Sequence, residues 1–201
     1  MVDLFLKGGL LMYPLAACSI LAVAIIIEKS VQFWRARSDR AQADGVLQAA
    51  GARDWARAEQ LAQRGSGLLV RLLVAALAGR KLPAATLEGR LSRLGSIELK
   101  RLSHRLHLLE LIGRISPMLG LTGTVTGLTR AFQTVAALKQ VSDPSLLASG
   151  IWEALITTVA GLFIGIPTLV AYHLLDNRLK SLAFEMKTVG EELVDRLAED
   201  A

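Results

Sequence analysis

Cysteine is nearly absent from this 201-residue chain: Cys18 stands alone, so no disulfide can form within it. Aromatic residues are scarce, at 5%, and no stretch alternates apolar and polar residues at the period of a strand. Both absences argue against a transmembrane β-barrel, whose strands alternate and whose rims carry aromatic girdles. Catalytic signatures are missing too. There is no GxxxxGKS/T phosphate loop, no HExxH, no CxxC and no serine in a nucleophile elbow. No catalytic residue, metal ligand or cofactor is therefore expected, and the chain is not expected to be an enzyme. Leu15-Ala16-Ala17-Cys18 has the look of a lipoprotein cleavage box. However, the apolar run continues to Ile27, and Gly8, Gly9 and Pro14 interrupt the would-be signal core. A small residue buried in a membrane fits Cys18 better, and the weak charged flank argues against a cleaved signal peptide.

Apolar residues, by contrast, make up 52% of the chain, with a mean hydropathy of +0.43. A helix needs roughly 20 apolar residues to cross about 30 Å of hydrocarbon. Residues 10–27, 115–138 and 151–175 qualify. The net charge of +5 invites a nucleic-acid partner, but no recognition motif accompanies it. Its distribution points to topology instead. Fifteen Lys and Arg lie between Lys29 and Arg105, against seven Asp and Glu between Glu28 and Arg105. The positive-inside rule then places residues 28–114 in the cytoplasm. Residues 1–9 and 139–150 fall outside, and residues 176–201 return inside.

Residues 1–9 are expected to form a short interfacial helix, with Leu4, Phe5 and Leu6 able to touch lipid. Phe33 and Trp34 fit an anchor at the cytoplasmic face. Asp54 predicts the cap of a helix over 55–64, ended by Gly65-Ser66-Gly67. Residues 68–77 read as a second short helix, and 79–83 as a turn with Pro83 at or before a helix start. From Ala84 the pattern stays helical to Pro117, with Leu99, Leu102, Leu106 and Leu109 spaced by three and four. This cytoplasmic helix is expected to enter the membrane directly as the second span. The third span is expected to continue for roughly 20 more residues, about 30 Å. Its stripe of Leu175, Leu179, Leu182, Met186, Val189, Leu193 and Leu197 packs against residues 87–109 in an intramolecular bundle. The expected fold is thus all-α: an integral membrane protein of three transmembrane helices, two of which extend as long helices into a cytoplasmic helical bundle.

The second and third spans are unusual for simple anchors. Each carries a small-xxx-small pair, Gly123/Gly127 and Gly161/Gly165, which lets helix backbones approach closely. Each also carries threonines, among them Thr124, Thr157 and Thr158. An intramembrane threonine often only bonds its own i−4 carbonyl, so their number alone is weak evidence for a polar path. Glu153, Thr157, Gly161, Gly165 and Thr168 share one helical face. Glu153 serves either an ion path or an interhelical contact at the bundle mouth. Arg114 and Arg130 lie near span ends, where they can snorkel. His104 and His107 sit in the basic cytoplasmic helix as solvated or packed imidazoles. His173 suits interfacial hydrogen bonding or, less simply, proton handling. Neither span has a carboxylate at mid-depth, so a proton carrier would have to come from another chain.

Ser116-Pro117-Met118-Leu119-Gly120-Leu121-Thr122-Gly123-Thr124-Val125-x-Gly127 resembles the APLLGLLGTVxG signature of the ExbB/TolQ/MotA proton-channel family. Glu153-Ala154-Leu155-Ile156-Thr157-Thr158-x-x-Gly161-Leu162, followed by Ile166-Pro167, resembles its EALxTTxxGLxxAIP signature. Gly8-Gly9-x-x-Met12-x-Pro14-Leu15, with Glu28-Lys29 closing the span, is similar to ExbB in particular. Ser116, Trp152 and His173 depart from the usual residues. The resemblance implies a ring of three-span subunits, a pentamer in ExbB, in the bacterial inner membrane. Its second and third spans surround the single-span helices of an ExbD- or TolR-like partner dimer. It implies that Thr124 and Thr158 face a partner Asp, that Thr157 lies in the same pathway, and that Glu153 is the outer-mouth carboxylate. Gly120, Gly123, Gly127, Gly161, Gly165, Pro117 and Pro167 are implied in helix packing. The leading function is an ExbB-type motor subunit, driven by the proton gradient, that energises TonB-dependent transport through a TonB-like protein. A TolQ-type subunit for envelope integrity and division, or a non-conducting scaffold, are the alternatives.

The topology has a direct test. In a Cys18→Ser background, a cysteine at Ser142 should react with an impermeant thiol reagent in intact cells, and one at Ser66 should not. The reverse pattern would put Glu153 at the cytoplasmic mouth.

Overall fold

The computed structural model describes residues 9–36, 40–65, 67–137 and 144–198. Among these residues the regular structure is entirely helical. In chain order the helices are α1 (Met12–Ala36), α2 (Arg40–Gly51), α3 (Trp55–Arg64), α4 (Leu68–Ala78), α5 (Ala84–Ser103), α6 (Leu106–Ala137) and α7 (Pro144–Ala198). The interfacial helix expected over residues 1–9 lies, save for Gly9, outside the described residues. So does the connection between α6 and α7, residues 138–143.

The chain divides into two compact units. One comprises Met1–Ile27 and Arg105–Leu174, the other Glu28–His104 and Leu175–Ala201. Helices within Met12–Gly51 and Gly150–Leu197 are long and apolar enough to cross a membrane, by length and composition. Helix α6 is not one of these, because glycine, serine and threonine dilute its apolar side chains.

The second unit is a helical cluster whose tight contacts depend on alanine. Ala43, Ala58 and Ala62 are buried, together with Val46, Leu69, Leu73, Leu87 and Leu193. Asp54 caps α3 as its position suggested: its carboxylate accepts from the Arg57 N–H at 3.0 Å. Helix α2 was not expected from the sequence. It ends in a Schellman turn in which the Asp54 N–H reaches the Ala49 carbonyl at 3.0 Å. Arg53 takes the left-handed position, at φ 59°, where glycine is usual. The stripe on the last part of α7 faces inward, with Leu175, Met186, Leu193 and Leu197 buried. Arg196 donates to the Leu47 carbonyl of α2 at 2.8 Å and to Glu192 at 2.6 Å. Phe33 is buried in this unit, whereas Trp34 is exposed.

Two boundaries differ from the sequence pattern. The helix starting at Ala84 does not run on to Pro117. It stops at Ser103, and Arg105 adopts φ 69° before α6 begins at Leu106. The leucine spacing across the break looks continuous because one left-handed residue redirects the chain without changing the composition. Pro117 lies inside α6, within the stretch expected as the second span. Helix α7 begins at Pro144, so part of the connection expected over 139–150 is helical. Proline suits a first helical position, where no N–H is needed.

Lys29 holds the first break. The sequence presents it as a flanking charge, yet it is 1% exposed. Its ammonium donates to the Leu102 carbonyl at 3.1 Å and to Gln32 Oε1 at 2.8 Å, while Gln32 donates to Glu28 at 3.0 Å. Leu102 lies in the last turn of α5, where carbonyls lack intrahelical donors and a cation meets the negative end of the helix dipole. Lys29→Met keeps the stem of the side chain, one atom shorter, and removes the donor. It should cost about 2 kcal/mol in denaturant unfolding and speed hydrogen exchange between residues 103 and 106. Unchanged exchange would mean that this carbonyl does not depend on the lysine.

Candidate functional site

Within the first unit, α6 and α7 pack through glycine on both sides. Gly113, Gly120, Gly123 and Gly127 are buried along α6, separated by seven, three and four residues. That spacing keeps them on one face. Gly120 lies so close to α7 that a Cβ there would be 3.0 Å from the Thr158 Cα and 3.1 Å from the Thr157 carbonyl oxygen. A Cβ on Gly161 would be 2.6 Å from the Ser116 carbonyl oxygen and 3.0 Å from the Gly120 Cα. A Cβ on Gly127 would be 3.0 Å from the Ala154 methyl, and one on Gly150 would be 2.6 Å from that of Ala131. The glycines of both signatures therefore join two helices of the same chain.

Pro117 explains one of these contacts. It has no N–H to give to the Gly113 carbonyl one turn earlier. Gly165 sits over that place: a Cβ there would be 2.9 Å from the Gly113 oxygen and 2.6 Å from the Pro117 ring. Pro167 is exposed within α7. Gly113 and Gly150 take part in the contact although the motifs did not include them. The seven-residue step from Gly113 to Gly120 was the signal for the first.

Most of the described hydroxyls serve their own helices. Ser116, Thr122, Thr129 and Thr168 each donate to the i−4 carbonyl at 2.7–2.9 Å. Thr157 donates to the Glu153 carbonyl at 3.0 Å, is 1% exposed, and lays its Cβ 2.7 Å from a Cβ position on Gly123. Thr158 differs. Its Oγ1 donates across the contact to the Gly120 carbonyl at 2.9 Å. Thr124 donates to the neighbouring carbonyl, Leu121, at 2.7 Å. Two hydroxyls from two helices thus use adjacent carbonyls on one turn of α6. Both donate their only proton, and both keep lone pairs on oxygen.

The charged candidates lie further out. The Glu153 carboxylate rests against the backbone of Gly9, whose φ of 70° and lack of a side chain leave room for it. Arg114 pairs with Glu110 one turn earlier, at 2.6 Å. Arg130 is exposed. His173 is exposed as well, with its ring 5.1 Å from that of Tyr172.

Gly161→Ala forces a Cβ against a backbone oxygen that cannot swing aside. The variant should lose about 1–3 kcal/mol in thermal unfolding followed by circular dichroism. Gly89→Ala is the control, with nothing within 4 Å. It should gain roughly 0.5–1 kcal/mol. Equal melting of the two variants would mean that the glycine contact contributes nothing.

The chain has relatives of known family. Residues 68–188 match the model of the MotA/TolQ/ExbB proton channel family. The chain is 35% identical over 199 residues to the putative biopolymer transport protein ExbB-like 1 of Synechocystis, covering 96% of this chain and 77% of the relative. It is 32% identical over 171 residues to the biopolymer transport protein exbB1 of Vibrio cholerae, covering 83% and 75%. It is 39% identical over 85 residues to the Tol-Pal system protein TolQ of Haemophilus influenzae, covering 42% and 37%. With that family match over more than half its length, and a relative 35% identical over 96% of it, the chain belongs to the MotA/TolQ/ExbB proton channel family.

Proposed function

We propose that this chain is an ExbB-like subunit of a motor driven by the proton gradient across the bacterial inner membrane. Three spans, residues 10–27, 115–138 and 151–175, cross the bilayer, with the N-terminus outside and residues 28–114 and 176–201 in the cytoplasm. Copies of the chain form a ring, a pentamer by resemblance, around single-span partner helices that carry a carboxylate. The energised client is TonB-dependent transport across the outer membrane. Relatives bearing the ExbB name over most of the chain support this choice. The shorter similarity to TolQ supports the alternative of a Tol-type client.

The observation that carries the proposal is the pairing of Thr158 and Thr124 on adjacent carbonyls of α6. Residues 115–138 and 154–175 contain no Asp or Glu, so the proton carrier belongs to the partner. A protonated partner carboxyl donates to a hydroxyl lone pair while Thr158 keeps its bond to Gly120. A deprotonated carboxylate needs donors instead. Thr158 can then donate only by leaving the Gly120 carbonyl. The charge state of the partner is thereby linked to a bond between the two ring helices. That bond is cheap to exchange: interhelical hydrogen bonds in membranes average about 0.6 kcal/mol. One charge crossing 100 mV supplies about 2.3 kcal/mol. Glu153 contributes negative charge at the outer mouth, and Thr157 supports the contact from inside it.

Thr158→Val keeps the shape of the side chain and removes the hydroxyl. Expression and partner co-purification should be normal, while proton flux in proteoliposomes holding the complex should be lost. Thr158→Ser should retain flux. Full flux in both Thr158→Val and Thr124→Val would sink the hydroxyl mechanism.

A further inference from the structure

The second unit carries an open cavity of about 320 Å³ between α5 and the end of α7. Leu72, Leu91, Met186 and Val194 give it an apolar lining. Two glycines help keep it open: a Cβ on Gly95 would reach the Met186 methyl at 3.6 Å, and one on Gly190 would reach Leu72 at 3.4 Å. Two lining residues, Glu88 and Glu191, are carboxylates. Lys187 lies 3.8 Å from Glu191 and offsets it. Glu88 is exposed and makes no ion pair among the described residues.

The far face of α5 has the complementary character. At about 100° per residue, positions 88, 92, 95 and 99 share the cavity side, and positions 90, 93, 97 and 101 fall opposite. Ile97 is 58% exposed and Leu94 40%. Around them stand Arg90, Arg93 and Arg101, all exposed and without ion pairs among the described residues. One side of the helix is thus an apolar hollow with a free carboxylate. The other is an apolar knob ringed by cations. The arginines make the knob a poor surface to bury in hydrocarbon.

A closed ring needs two different patches per subunit, each fitting the other; a two-fold dimer needs one patch that fits itself. Resting on the ring proposed above, we infer that the Leu94–Ile97 knob of one copy seats in the α5–α7 cavity of the next. Glu88 then meets the neighbour's arginines. The occupant is a second copy of this chain, selected by charge complementarity and by the placement of knob and hollow on opposite sides of one helix.

Cysteine cross-linking of the full chain in membranes, in a Cys18→Ser background, tests this. Ile97→Cys and Ser92→Cys lie on opposite faces of one helix, too far apart to bridge within a chain. The double variant should give an oxidative ladder through trimers and higher species, and neither single variant should cross-link. Glu88→Arg should reduce the ladder at least severalfold, and adding Arg90→Glu with Arg93→Glu should restore it. Native mass spectrometry of the same samples separates the two layers of the argument. An oligomer without the ladder overturns this surface and leaves the ring standing. Dimers from Ile97→Cys alone also overturn it, because they mean a two-fold contact. A monomer overturns the ring and the surface together.

Discussion

The close approach of two backbones is the constraint from which the rest of the functional unit follows. Where α6 and α7 meet, Gly120 and Gly161 bring main chain against main chain. That proximity lets the Thr158 hydroxyl reach a carbonyl on another helix. A single added methyl would push the helices apart and remove the bond that distinguishes Thr158 from its neighbours. In a bilayer the packing gain is chiefly van der Waals contact, since lipid is as apolar as leucine. The contact must therefore be tight to be worth making, and small residues are the means.

The two units solve different packing problems. The first uses glycine and threonine over a long helix pair. The second uses short helices with buried alanine and leucine, and long cationic side chains at backbone carbonyls. Lys29 reaches the last turn of α5, and Arg196 reaches the Leu47 carbonyl near the end of α2. Lys29 supplies a donor to a carbonyl of the last turn, where intrahelical donors run out, while Arg196 adds a second donor to a carbonyl one turn before the end of its helix. The basic character of residues 28–105 is consequently not all surface charge.

Much of this was legible in the sequence, because the relevant signals are periodic and local. The cap at Asp54, the short helices after it and the inward stripe of α7 follow from residue type and spacing. The face shared by Thr157, Gly161, Gly165 and Thr168 was legible for the same reason. The break at Arg105 was not, since a left-handed arginine carries no compositional mark of the kind glycine does. Burial of Lys29 was hidden because its acceptor, the Leu102 carbonyl, lies 73 positions away. The partition of the hydroxyls was hidden too. Thr157 and Thr158 are adjacent in sequence, yet one is packed into the contact and the other spans it. Only the rotation of α7 against α6 separates them.

The proline of α6 and the glycine opposite it also bear on how such a chain can drift. Pro117 leaves the Gly113 carbonyl without its helical donor, and Gly165 occupies the space beside it. A bulkier residue at 165 meets both the ring and the oxygen, whereas an ordinary residue at 117 removes the ring and closes the helical bond. The two positions are therefore coupled through one contact. Losing the proline first removes the ring contact and leaves the one at the Gly113 oxygen, whereas losing the glycine first meets both. The order of substitution is thus written into the geometry of one turn.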